Sequence, residues 1–306
     1  MHRFRTSFAL GALCAVLVPT LAAPTGAADS VRLRYRLDPQ ARYEQKMNMS
    51  TTMHVEIEGL PEDKASMLSA FLGQDMLQQL AMTLTLDTGE KAKDGSVPFE
   101  ASIGNLDGSI TMGENKMPMP KLEQDVSFKG KLGPDGRMLE LDTTGLDALA
   151  EVMPTDVVNK LMQMTPTFPE GKLAIGESLT IPQTYQMPIP GMDGEELKIE
   201  GATVFTLRSI APEASTFDVE TNVAVSSAGG ESGAQMDLSL GGGGRGTATF
   251  DPRAGLFSRI TIDMDIQMAM NLPAEVAQAE GAGAQPLKLN MTMKGPVEVT
   301  MGRVER

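Results

Sequence analysis

The stretch from Ile260 to Met270 reads ITIDMDIQMAM, and it decides the fold class. Apolar side chains occupy every second position, and the positions between them are polar or small. Successive side chains of a β-strand point to opposite faces, so this period of two predicts a strand with one buried face and one wet face. Alternation of this kind is typical of antiparallel sheets.

Six other segments repeat the pattern, at residues 47–57, 82–86, 126–132, 197–207, 217–225 and 287–293. Several of them are longer than the usual strand of about 5–6 residues. Because long strands twist and coil, the pattern predicts a mainly β (α+β) protein with a long curved antiparallel sheet that forms a partial barrel.

Two turns of similar form indicate an internal duplication. Gly133-Pro134-Asp135-Gly136 and Asp251–Gly255 each combine Pro, Asp and Gly between two short alternating segments. We therefore predict a single β-rich unit at 29–306 with two related halves, at 31–165 and 172–306. A proline-rich junction at 166–190 divides the halves.

Helices are expected to be few and to lie across the open face of the sheet. Apolar residues at helical spacing predict a helix from Pro61 to Leu80, a second at 146–153 that resumes at 155–164, and a third at 273–280. The glycine run 241–246 lacks the Lys-Ser/Thr of a phosphate loop. It is predicted to be a flexible hairpin connection.

The N-terminus predicts export. Arg3 and Arg5 precede an apolar run at 8–18, and small residues end at Ala28, which together have the form of a cleavable signal peptide at 1–28. The mature protein is therefore expected in the periplasm or secreted. The only cysteine, Cys14, leaves with the leader, so no disulfide is expected.

Charge excludes some partners. The chain has a net charge of −14, and the part after Ala28 keeps 24 basic against 40 acidic residues. Such a surface repels phosphate backbones, so nucleic acid is not expected as a partner. No apolar run after the leader is long enough for a transmembrane helix.

Nothing in the sequence indicates catalysis. His54 is the one histidine outside the leader, and it falls on the polar side of its segment. No nucleophile motif or metal-binding spacing accompanies it. We predict a protein that is not an enzyme and holds no cofactor or metal, with an unrecognised hydrolase as the third alternative.

Methionine is the most unusual feature, with 23 residues against no tryptophan. Methionine packs adaptably and suits surfaces that accept varied apolar partners. The favoured function is non-catalytic binding of an apolar ligand (a lipid, an acyl chain or a lipoprotein) or of an envelope protein. The alternative is Cu(I) binding by thioethers, which are soft ligands. The candidate residues are Met47, Met49, Met53, Met264, Met268, Met270, Met291 and Met293.

The junction also carries a resemblance. Phe168-Pro169 followed by Gly176-Glu177-Ser178, with the early Arg34-Tyr35-Arg36, resembles a family of bacterial secreted proteins and lipoproteins of unknown function. The resemblance implies two similar β halves. The layout is more distantly similar to LolA-like lipoprotein-carrier half-barrels. Neither resemblance supplies functional residues.

Overall fold

The computed structural model describes residues 30–33, 37–59, 73–118, 126–134, 138–142, 172–188, 196–227, 237–272 and 287–305. Over these residues the chain forms fourteen strands and no helix. The strands are β1 Ser30–Val31, β2 Arg42–Glu58, β3 Asp75–Thr88, β4 Val97–Met112, β5 Asn115–Pro118, β6 Val126–Leu132, β7 Met138–Asp142, β8 Leu173–Ala174, β9 Ser178–Pro188, β10 Glu196–Ile210, β11 Ser215–Ser227, β12 Asp237–Asp251, β13 Leu256–Leu272 and β14 Leu287–Val304.

Most strands belong to one sheet of twelve. Its order is β7-β6-β4-β3-β2-β14-β13-β12-β11-β10-β9, with β5 paired to β4, and every pairing is antiparallel. The first long strand, β2, lies beside the last strand, β14. The outermost strands, β7 and β9, are not paired with each other in the described part of the chain, so the sheet is not closed. The predicted mainly β fold with a long antiparallel sheet is confirmed.

The predicted helix at 61–80 is wrong over its last part. Residues 75–80 belong to β3, which pairs with β2 on one side and β4 on the other. Met76 and Leu80 suit either a helical face or a strand, and pairing on both sides outweighs the local preference. Residues 61–72 and the predicted helices at 146–153, 155–164 and 273–280 lie outside the described residues, as does the leader.

The glycine run is also not the hairpin connection that we predicted. It lies inside β12, between β11 and β13. A Cβ on Gly246 would collide with the carbonyl oxygen of Thr261 on the neighbouring strand. The run therefore reflects close approach of neighbouring backbones, one of the recognised uses of glycine within a strand.

Both clusters of fully buried apolar residues lie toward one end of the sheet, whereas Leu287, which is 4% exposed, is buried at the other end. We call the end where β2 begins the near end and the end where β2 finishes the far end. One cluster packs on β2, β4 and β6 around Tyr43, Phe99 and Phe128. A second packs on β9 to β12 around Phe217 and Phe250. The paired registers place both clusters in the near half of the long strands.

The chain that precedes β2 covers this near half. Val31 and Leu33 belong to the second core cluster, and Leu37 belongs to the first. β1 pairs with β8, and the backbone N–H of Asp38 donates a 2.8 Å hydrogen bond to the Tyr43 hydroxyl. Residues 31–33 and 37–41 therefore help to close the near half of the apolar face from water.

A bulge in β4 keeps the apolar residues of that strand on one face. Asn105 has a positive φ of 49°, and the register with β3 shifts between Ala81 and Thr83. An extra residue in one strand reverses which positions face the core. Ile103 before the bulge and Met112 after it therefore share the apolar face, although they are nine positions apart.

A candidate apolar binding surface

The far half of the apolar face carries a surface rich in methionine. We call it the methionine surface. Its residues belong to five neighbouring strands, β13, β14, β2, β3 and β4, and each side chain is partly buried. They are Met53, Val55, Ile57, Met76, Met112, Ile266, Met268, Met270, Leu289, Met291 and Met293.

Strand register brings the methionines together in rows. Met53 lies directly opposite Met76 on one side and Met293 on the other, and Met76 lies opposite Met112. Opposed Cβ atoms in an antiparallel pair are about 4.5–5.5 Å apart. Two residues further along β14, Met291 lies opposite Met268. The row of four therefore crosses four adjacent strands, and a pair lies beside it.

Methionine is excluded from the fully buried core. The buried apolar residues that the structure describes are Val, Leu, Ile, Ala, Phe and Tyr, with no Met among them. Methionine as a core filler, which its adaptable packing would suit, therefore does not account for these residues. They concentrate instead where the apolar face keeps some exposure to water.

The eight candidate residues all lie on the apolar face of their strands. Five belong to the methionine surface, and Met47, Met49 and Met264 lie on the same face closer to the cores. The sequence interpretation missed Met76 and Met112. Met76 was assigned to a helix, and Met112 follows the bulge at Asn105, where simple alternation loses its phase.

A row with several polar side chains separates the methionine surface from the cores. Thr51 of β2 is paired with Gln78 of β3. In the same row across the sheet, Thr221 of β11 is paired with Thr203 of β10. The hydroxyls of Thr203 and Thr221 are 3.3 Å apart. Thr51 is 0% exposed, and its hydroxyl has no hydrogen-bond partner in the described structure.

The Thr51→Val variant is expected to raise the free energy of unfolding by about 1 kcal/mol. Valine has nearly the same shape and removes a buried hydroxyl that makes no hydrogen bond, which is costly to bury. Urea denaturation of the two proteins measures the difference. Thr52→Val, on the exposed side of the same strand, is the control, with an expected change below about 0.5 kcal/mol. A Thr51→Val protein that is less stable than the wild type would show that the Thr51 hydroxyl makes a stabilising hydrogen bond.

The charged groups of these strands occupy the opposite face. Ion pairs join Lys294 to Asp265 at 3.0 Å and Arg259 to Glu298 at 2.7 Å across neighbouring strands. These pairs are largely exposed, so each contributes little to stability. The methionine surface itself contains no charged residue. The two faces of the sheet therefore offer different chemistry to a ligand.

His54 lies on the charged face, away from the methionines. Its Nδ1 is 2.9 Å from a carboxylate oxygen of Asp75, and its Nε2 is 3.3 Å from one of Glu56. These hydrogen bonds, above all the one to Asp75, raise the pKa of His54 above its usual value. The arrangement is an exposed contact between His54 of β2, Asp75 of β3 and the neighbouring Glu56.

A cavity of about 450 Å³ also opens on the charged face. Polar residues of neighbouring strands line most of it, including Asn48, Gln79, Asp107 and Glu298. None of the residues that line this cavity belongs to the methionine surface. What the described chain offers to an apolar ligand is the partly exposed methionine surface.

Where the chain is described, no three His, Cys, Asp or Glu side chains are placed to share a metal ion. The same residues contain no helix long and apolar enough to cross a membrane. No protein-family model matches the sequence, and no curated protein matches it either.

Proposed function

We propose that this protein binds the acyl chain of a lipid outside the cytoplasm, with the methionine surface as the binding site. The observation that carries the proposal is the division of the apolar face. Residues 31–33 and 37–41 pack on its near half, while in its far half the eleven apolar residues of the methionine surface keep partial exposure. Contiguous apolar surfaces that keep access to water commonly mark binding sites.

The dimensions of the surface suit an acyl chain. Five adjacent strands at about 4.8 Å spacing give a width of about 19 Å. From Met53 to Ile57 the surface extends four residues along the strand, which is about 13 Å. An extended acyl chain fits across the strands within these limits. Each methylene that leaves water contributes about 0.8 kcal/mol.

The composition supports a ligand whose shape varies. Seven of the eleven residues of the surface are methionine, whose three rotatable bonds let it adapt to different partners. A rigid, specific apolar pocket normally uses branched and aromatic side chains instead. The predicted signal peptide and the likeness to lipoprotein carriers agree with this role, and both stay predictions.

The test uses cis-parinaric acid, a fluorescent polyene fatty acid, with the mature chain. Met268→Glu is expected to weaken binding at least tenfold, because it places a carboxylate within the apolar surface. Gln267→Glu is the matched control. It adds the same charge at the adjacent position of β13, on the opposite face, and is expected to leave affinity unchanged.

Two results would contradict the proposal. One is a wild-type chain that does not take up the probe. The other is equal weakening by both substitutions, which would place the binding elsewhere or attribute it to charge alone. Circular dichroism of both variants checks that the strands are retained.

A further inference from the structure

The row of directly opposed methionines offers a chemistry that acyl binding does not need. Leucine or valine would fill the same apolar face, and they do so in both core clusters. In the far half, methionines instead stand opposite one another on β4, β3, β2 and β14. This juxtaposition places several thioether sulfurs on one face of neighbouring strands.

We propose that Met53, Met76 and Met293 form a thioether site for Cu(I), with Met53 as its central ligand. Met53 lies between the other two, opposite Met76 on one side and Met293 on the other. Thioether sulfur is soft and uncharged, and it selects Cu(I) over hard divalent cations. The proposal goes beyond acyl-chain binding and does not depend on it.

The spacing permits shared ligation. Opposed Cβ atoms lie about 4.5–5.5 Å apart, and the flexible methionine side chain lets neighbouring sulfurs converge on one ion. All three side chains are partly buried, so an ion can enter from water and then lose most of its hydration. Met112, opposite Met76, stands at the end of the row as a fourth sulfur.

The surroundings favour a monovalent soft ion. The methionine surface has no charged side chain, so among the described residues of this surface the ion meets neither a carboxylate that would favour hard cations nor a competing ammonium group. The carboxylates of Asp75 and Glu56 interact with His54 on the opposite face. Binding of Cu(I) by neutral ligands releases no proton from these residues, so we expect affinity to vary little near neutral pH.

The test is an anaerobic titration of the mature chain with Cu(I) against bicinchoninate, a coloured competing chelator. Wild type is expected to withdraw one Cu(I) per chain. Met53→Leu is expected to lower the affinity at least tenfold, since leucine keeps the apolar volume and removes the central sulfur. Met270→Leu is the control. Met270 is paired in register with Leu289 of β14 and Leu238 of β12, and neither partner is a methionine.

A second measurement distinguishes the loss of a metal ligand from a folding defect in the variant. Ag(I), which is redox-inert, is added to protein with ¹³C-labelled methionine methyl groups, and the methyls of Met53, Met76 and Met293 are expected to shift together. Met293→Leu should abolish the shift at Met53. A wild-type chain that takes no Cu(I) from the chelator overturns the proposal, as does equal affinity in Met53→Leu and wild type.

The two proposals can fail separately. Wild-type protein is tested for both activities on one sample. Uptake of cis-parinaric acid without withdrawal of Cu(I) from the chelator contradicts the metal site and leaves the acyl-chain proposal standing. Withdrawal of Cu(I) without uptake of the probe supports the metal site and contradicts the acyl-chain proposal.

Discussion

Replacing Phe217 with alanine is expected to lower the free energy of unfolding by about 3–5 kcal/mol. Phe217 is 0% exposed and forms edge-to-face contacts with Phe205 at 6.4 Å and Phe257 at 5.8 Å between ring centroids. Removing the ring loses its burial and these contacts and leaves a cavity that the surrounding strands fill only in part. Urea denaturation followed by circular dichroism measures the loss.

Two further variants provide a control and a comparison for the loss of stability in Phe217→Ala. Leu139→Ala truncates a side chain that is 54% exposed, and its effect is expected to stay below about 0.5 kcal/mol. Phe99→Ala removes a ring from the other core cluster and is expected to destabilise the protein by a similar amount to Phe217→Ala. Because β2 and β14 join the two regions in one sheet, each variant should unfold in a single transition. Two separate transitions would show that the clusters fold independently.

Replacing Gly295 with alanine is expected to destabilise the protein by about 2–4 kcal/mol. Gly295 lies in β14, where that strand pairs with β2, and its φ of +146° is one that other residues rarely adopt. A Cβ here would collide with the carbonyl oxygen of Ser50 and lie 2.9 Å from the Cα of Thr51. Both contacts are to backbone, so the pairing of the first and last long strands must shift.

Gly302→Ala is the matched control for this experiment. Gly302 lies in the same strand and pairs with Glu44 of β2, but a Cβ there would meet nothing within 4 Å. Its replacement is expected to change stability by less than about 0.5 kcal/mol. Equal effects of the two substitutions in thermal or urea denaturation would mean that Gly295 does not hold a special backbone conformation.

The alternating pattern predicted the long strands correctly, but it did not predict the segments of the sheet that lack clear alternation. The strands at 260–270 and 287–293 are confirmed because every second side chain is apolar over a long run. The hairpin connection predicted for the glycine run was wrong, because glycine is equally typical of a flexible turn and of a strand where backbones approach closely. The helix predicted over residues 75–80 was wrong because Met76 and Leu80 satisfy both the helical and the extended period. In each case the neighbouring strands decided the outcome.

The candidate site was predictable in its residue type but not in its arrangement. A high methionine content pointed to the apolar face, and the eight candidates lie on it. Which methionine faces which depends on register between strands far apart in sequence, such as Met53 and Met293. A shift of one residue would move a whole set of side chains to the other face, and local sequence does not encode that pairing.

The sequence by itself determined that this chain forms long antiparallel strands with one apolar and one polar side, because a period of two is a local property of the backbone. The tertiary structure alone decided where along those strands the apolar side is closed. Burial depends on which segments pack on the face, and residues 31–33 and 37–41 pack on the near half. The methionines that remain partly exposed, and the row that they form, follow from that packing and from strand register.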